Sequence, residues 1–188
     1  MLWPNRAGSL TGNVGQNNFW GMSYDFRLFR PMPGEDPLVT ARSEVSGFAS
    51  NKPTSTAKAL NSKVTEAIVA HNPRLRRVSI DDTNNKLRYV EINSPEGGNG
   101  IQIHLFDAEA GVTIPYSHEG PTAAEVFREV WSYLEIIHRE AGYLVYDSQA
   151  GRVFDPSAVG EQSAALASYV IAVRQVRKTV TGSVQRRS

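Results

Sequence analysis

Residues 100–155, GIQIHLFDAEAGVTIPYSHEGPTAAEVFREVWSYLEIIHREAGYLVYDSQAGRVFD, decide the fold because their hydrophobic period changes twice. First, Ile101, Ile103 and Leu105 alternate with Gln102, His104 and Phe106, the two-residue period of a strand with one wet face. Residues 107–111 turn the chain into Val112, Thr113 and Ile114, which completes a hairpin. The period then becomes 3.6. Val126, Phe127, Val130, Trp131, Leu134 and Ile137 share a helical face opposite Glu125, Glu129, Ser132, Glu135 and Arg139. Thr122 and Glu125 have the spacing of a capping box, in which the hydroxyl bonds the Glu125 N–H, and Gly142 is placed to end the helix in a left-handed conformation. Residues 143–147 and 152–155 predict a second strand pair around a turn at 148–151.

Outward from this stretch, the same reading orders the rest of the chain. Tyr24, Phe26 and Leu28 alternate with Asp25 and Arg27 until Pro31 and Pro33 stop the strand. Asp36 followed by Pro37 predicts a helix N-cap with proline in the first turn, and Leu38, Ala41 and Val45 extend it briefly. Thr54 precedes a helix with Leu60, Val64, Ala67 and Ile68 on one face, ended by His71, Asn72 and Pro73. Residues 77–80 and 87–92 predict two strands around a turn at 81–86, and Gly97, Gly98 and Gly100 lie in the loop before the strong hairpin. Leu166, Tyr169, Val170, Val173 and Val176 mark a last amphipathic helix. Strand, helices, four strands, helix, two strands and helix predict an α+β fold, a largely antiparallel β-sheet with amphipathic helices covering one face. The expected organisation is a flexible N-terminal extension at 1–21, a single domain at 22–180 and a disordered basic tail at 181–188.

With 188 residues, 40% of them hydrophobic and 21% charged, the chain has the balance of a globular protein with one sizeable core. A net charge of +1 gives no global attraction to nucleic acid or anionic membrane, so charge must act through local patches. Residues 107–147 hold eight acids against Arg128 and Arg139, a net of −6, whereas Arg174, Arg177, Lys178, Arg186 and Arg187 follow Glu161 with no acid. The absence of cysteine excludes disulfides, thiolate catalysis and cysteine metal sites. No stretch approaches the ~20 apolar residues of a membrane span, and 1–21 lacks a secretory apolar core, so a cytoplasmic location is expected.

The four histidines, His71, His104, His118 and His138, show no metal-ligand spacing, and no metal or cofactor is implied. His71 falls at a helix C-terminus, where it meets the negative end of the dipole. His104 lies on the wet face of its strand, and His118 stands beside Glu119 in a loop. Convergence of His104, His118 and Glu119 would make a catalytic or metal site for a small hydrolase or nucleotide-processing enzyme. Ser117, His118 and Glu119 have the residue types of a hydrolytic triad, but consecutive residues cannot align as nucleophile, base and orienter. The glycines at 97–100 precede a strand, not the helix N-terminus that a phosphate loop requires.

A different chemistry follows from the acidic run and its aromatic neighbours. Glu125, Glu129 and Glu135 on the polar helix face, with Tyr116, Tyr133 and Tyr146 nearby, form a candidate partner-binding surface in which charge steers and aromatics anchor. Trp131 belongs to the core stripe, whereas Tyr133 is expected on the surface beside Glu129. Arg74, Arg76, Arg77, Arg88 and the tail support a third reading, nucleic-acid association, but no aromatic-interleaved nucleic-acid module accompanies them.

Three segments carry a resemblance: YDFRLFRPMPGEDPL at 24–38, IQIHLFD at 101–107 leading to VTIPY at 112–116, and GYLVYDSQAGRVFD at 142–155. They resemble small uncharacterised bacterial cytosolic proteins, similar in size and architecture to the immunity proteins of toxin systems. The likeness spans about 22–156 and leaves the Asn- and Gly-rich start and the basic tail unmatched. It implies a non-enzymatic protein that binds another protein, a basic toxin domain, and neutralises it by occlusion; it implies no catalytic residues.

Overall fold

The strand that opens the pattern becomes the interior of the sheet. The computed structural model describes residues 23–42, 54–82 and 87–184, with the side chains at 81, 82, 87, 88 and 180–184 outside the description; the expected extension at 1–21, Val45, the side chain of Arg88 and residues 185–188 lie outside the described residues. In chain order the elements are β1 (Ser23–Phe29), α1 (Pro37–Arg42), α2 (Ser55–His71), β2 (Arg76–Asp82), β3 (Leu87–Asn93), β4 (Gln102–Leu105), β5 (Glu109–Pro115), α3 (Gly120–Ala141), β6 (Leu144–Asp147), β7 (Arg152–Phe154) and α4 (Glu161–Val184). This is the order the periodicities predict. The seven strands run β2-β3-β4-β5-β1-β6-β7, and every neighbouring pair is antiparallel. With four helices, the fold is α+β.

The core follows from alternation meeting the 3.6-residue stripe. Tyr24, Phe26 and Leu28 of β1 are fully buried or nearly so, against Phe127, Val130, Trp131 and Leu134 of α3 and Tyr169 of α4. Phe26 packs edge-on to Phe127 at 6.2 Å, Tyr24 edge-on to Tyr169 at 5.4 Å, and Trp131 stacks on Phe154 at 5.7 Å with planes 4° apart. Such pairs contribute about 0.5–1.5 kcal/mol each beyond the area they bury. α2 packs beside α3 and adds Val64 and Ile68 to the same core. Among the described residues, no helix is long and apolar enough to cross a membrane.

Helix ends explain two departures from expectation. Gly142 closes α3 as expected, with φ 69° and its N–H donating to the His138 carbonyl at 2.7 Å. The start of α3 is different: Glu119 is the N-cap, and Thr122 lies inside the first turn, so the capping box does not form. Pro121 is the cause, because its fixed φ is pre-organised for a first helical turn and it has no N–H to leave unpaired. At α2 the cap is as expected, with the Thr54 hydroxyl accepting from the Ala57 N–H at 3.1 Å. α4 continues to Val184, so residues 181–184 are helical and not part of a disordered tail. No proline interrupts its last turns.

Candidate functional site

The strand register assembles one row of side chains across the whole sheet. Val78 pairs with Glu91, Glu91 with His104, His104 with Gly111, Gly111 with Arg27, Arg27 with Tyr146 and Tyr146 with Val153. Directly paired residues share a face, and this face is opposite the one on which α3 packs. Tyr89 and Asn93 of β3, Asp25 of β1, and Thr113 and Glu109 of β5 border the row on the same face.

Their chemistry is polar and tightly connected. Asn93 donates to Glu91 at 2.5 Å, the Thr113 hydroxyl donates to Asp25 at 2.8 Å, and His104 Nε2 lies 3.9 Å from Glu91. Arg27 Nε donates to Glu109 at 2.6 Å, while its Nη1 donates to the Ala41 carbonyl at 2.8 Å, which ties α1 to this side of the sheet. Burial holds the His104 imidazole below its ordinary pKa, with Glu91 and Asp25 pulling the other way, which favours the uncharged ring. Burial also raises the Glu109 carboxyl, against the opposing pull of Arg27. Tyr89 and His104 meet edge to face at 5.6 Å. The row thus presents Arg27, Tyr146, His104 and Tyr89 among the carboxylates Asp25, Glu91 and Glu109.

Much of the expected acidic run is engaged in ion pairs or hydrogen bonds within the fold. Of the acids at 107–147, Glu109 pairs with Arg27, Glu119 with Arg177, and Glu140 with Lys63 and Arg139. Asp147 is fully buried and accepts from the Tyr24 hydroxyl at 2.6 Å, and Glu135 accepts from the Trp131 indole at 3.1 Å. Glu125 is exposed. Glu129 is the hub of a network: it accepts from Asn72 at 2.9 Å, from the Tyr133 hydroxyl at 2.6 Å, and from Asn99. Asn99 in turn accepts from Ser94 through its side chain, and its carbonyl accepts from His118 Nε2 at 2.6 Å. This network fastens the end of α2 and the glycine loop to α3.

Two tyrosines expected at the surface are buried. Tyr133 is fully enclosed because α2 packs over its side of α3, with its ring edge-on to His71 at 6.0 Å and its hydroxyl held above the usual pKa by burial. Tyr116 is buried at the base of a groove between α4 and the β6–β7 turn, where burial, Asp25 and Asp147 push its hydroxyl up to about 12. Tyr146, half-buried, sits in the cross-strand row.

The alternative cluster of His104, His118 and Glu119 does not assemble. His104 lies on the sheet face opposite α3, His118 is engaged with the Asn99 loop, and Glu119 at the start of α3 pairs with Arg177 of α4. Among the described residues, no three His, Asp or Glu side chains converge to hold a metal ion. Arg74, Arg76 and Arg77 are exposed, but Arg76 and Arg77 are consecutive in β2 and point to opposite faces. Sequence reasoning singled out His104 and Tyr146 but missed Glu91, Arg27 and Asp25 beside them. The local signal was present in the polar positions of each strand; the strand order that aligns them was not. No family model matches the chain, and neither does any curated protein or solved structure.

Proposed function

We propose that the chain is a non-enzymatic, cytoplasmic protein-binding protein that receives its partner on the face of the sheet opposite α3. The row Glu91, His104, Arg27 and Tyr146 carries this reading. Arginine and tyrosine are the side chains enriched where interfaces are strongest, because each combines a large contact area with directional hydrogen bonding. Arg27 is paired with Glu109, and Asp25 and Glu91 then outnumber Arg76 on this face, so it favours a basic partner. A basic toxin domain neutralised by occlusion is the partner class that the resemblance implies. The test is affinity measurement on the partner recovered by pull-down from the native cell. Tyr146→Ala is expected to weaken binding at least ~10-fold, whereas Glu125→Lys with Glu135→Lys changes it less than about threefold. The reverse pattern would move the interface to α3.

One observation favours a second reading. An imidazole 3.9 Å from Glu91, its pKa lowered by burial, is suited to general-base chemistry, in which Glu91 would orient His104. Under it, His104→Gln abolishes hydrolysis of a p-nitrophenyl ester or phosphate probe; under the binding reading, wild type and variant hydrolyse neither.

A further inference from the structure

We propose that β2 is a self-pairing edge, through which two copies of this chain join their sheets into one. β2 is the terminal strand of the sheet, and among the described residues nothing pairs with its outer side. It runs for seven residues, and its register with β3 is unbroken from Arg76 opposite Asn93 to Asp82 opposite Leu87, so it has no bulge. It contains no proline. Proteins blunt exposed edges with short strands, bulges, prolines, charged side chains or covering elements; among the described residues β2 carries only the charges, so what can pair with it depends on how those charges are met.

The sequence of β2 specifies which strand that is. Residues 76–82 read RRVSIDD, and the charge pattern inverts about Ser79. In an antiparallel pair with its two-fold axis at Ser79, Arg76 stands opposite Asp82 of the partner subunit and Arg77 opposite Asp81 of the partner subunit. Val78 stands opposite Ile80 of the partner subunit, and Ser79 meets its own counterpart. Symmetry repeats each pair, so two apolar pairs at the centre are flanked on both sides by opposite charges. Directly opposed charges of opposite sign stabilise a sheet, and like charges destabilise it. Within β2, a two-residue slip removes every charge pair, and a parallel arrangement sets arginine against arginine, so the register centred on Ser79 is favoured. Val78 is 43% exposed in the single chain and would gain an apolar neighbour.

This pairing also fixes the relation between the two binding faces. Opposed residues share a face, and Val78 and Ile80 lie on the side that carries Glu91 and His104. The two copies therefore present their cross-strand rows on the same side of the joined sheet, with α3 of each copy on the other. The inference stands on the edge alone and does not depend on what the rows bind.

The test is sedimentation velocity of the full chain over a concentration series at low ionic strength, with circular dichroism to confirm folding. Wild type is expected to shift from the mass of one chain to that of two as concentration rises. Arg76→Asp with Arg77→Asp sets acids against acids and should raise the dissociation constant by at least ~10-fold; adding Asp81→Arg and Asp82→Arg restores the pattern and the dimer. Because the chain has no cysteine, Ser79→Cys introduces a single thiol at the two-fold axis, and mild oxidation should yield a covalent dimer. Ser157→Cys, exposed after β7, should not. A monomer at every concentration, a dimer indifferent to the arginine reversal, failure of the fourfold variant to restore it, or equal cross-linking at residues 79 and 157 would each overturn the proposal. If the double variant fails to fold, the Ser79→Cys cross-link on the otherwise native chain decides.

Discussion

At one end of the sheet β7 is three residues long, followed directly by Asp155 and Pro156, and packed against α1; at the other, β2 is seven residues long and packs chiefly on β3. Phe154 of β7 lies under the Trp131 ring, and Arg152 sits 4.6 Å from the Phe154 centroid while pairing with Glu161 of α4. Among the described residues nothing comparable reaches Val78. The difference separates two tasks within one sheet: the β1-β6-β7 end holds α3 and α4 in place, and the β2 end is left as a plain hydrogen-bonding edge. The clamping of the helices is thus concentrated at one end of the sheet, and substitutions at the two ends should differ sharply in cost.

The largest effect is expected at the helix-clamped end. Trp131 is almost completely buried and stacks on both Phe127 and Phe154, so Trp131→Ala removes an aromatic side chain from a site walled by other rings. It should cost about 3–5 kcal/mol in a urea or guanidinium titration. That is a large share of the ~5–15 kcal/mol by which domains are stable. A loss below about 1 kcal/mol would mean that α3 is not the clamp, and the contrast between the two ends would fail.

A smaller effect at the same end comes from hydrogen bonding. The Asp147 carboxylate is fully buried: Oδ1 accepts from the backbone N–H groups of Gln149 and Ala150, at 3.1 and 2.9 Å, and Oδ2 from the Tyr24 hydroxyl. Burial, reinforced by the bonded carboxylate, raises the Tyr24 pKa well above its ordinary value, so the phenol stays a donor at any physiological pH. Tyr24→Phe leaves the ring packing intact and deprives a buried carboxylate oxygen of its donor. The expected cost is about 1–3 kcal/mol by denaturant titration. A neutral result would show that water replaces the hydroxyl and that the β6–β7 turn is open to solvent.

How far these sites could be read from the sequence depends on whether the deciding contact is local. Period alone placed Trp131 in the core and ordered every element, because alternation and the 3.6-residue stripe are properties of a single segment. Tyr133 was misplaced since its burial is produced by α2, an element some sixty residues away that covers a second side of α3. The capping box at Thr122 was a correct local pattern displaced by a stronger neighbour, Pro121. For the candidate face, each strand showed its polar positions, but β1 inserts between β5 and β6, strands far from it in sequence. Hence Arg27 could not be set beside His104 or Tyr146 by inspection. β2 is the opposite case: its self-complementary charges are written in seven consecutive residues, and what was missing was only the knowledge that it is an edge.

The smallest effect should come from β2 itself. Val78 is 43% exposed on the terminal strand, and the loss of two methyl groups there removes little buried area and leaves the β2–β3 ladder intact. Val78→Ala should therefore change unfolding free energy by about 0.5 kcal/mol or less, measured at protein concentrations low enough that the chain is monomeric. The same substitution thins the apolar centre of the β2 pairing, so its effect should grow as concentration rises, because a partner that binds only the folded chain adds its own stabilisation by mass action. A cost near that of Trp131→Ala at low concentration would place β2 inside the cooperative core, and the two ends of the sheet would no longer differ. A small cost that stays constant from dilute to concentrated solution would leave the contrast in stability standing and remove Val78 from the pairing surface.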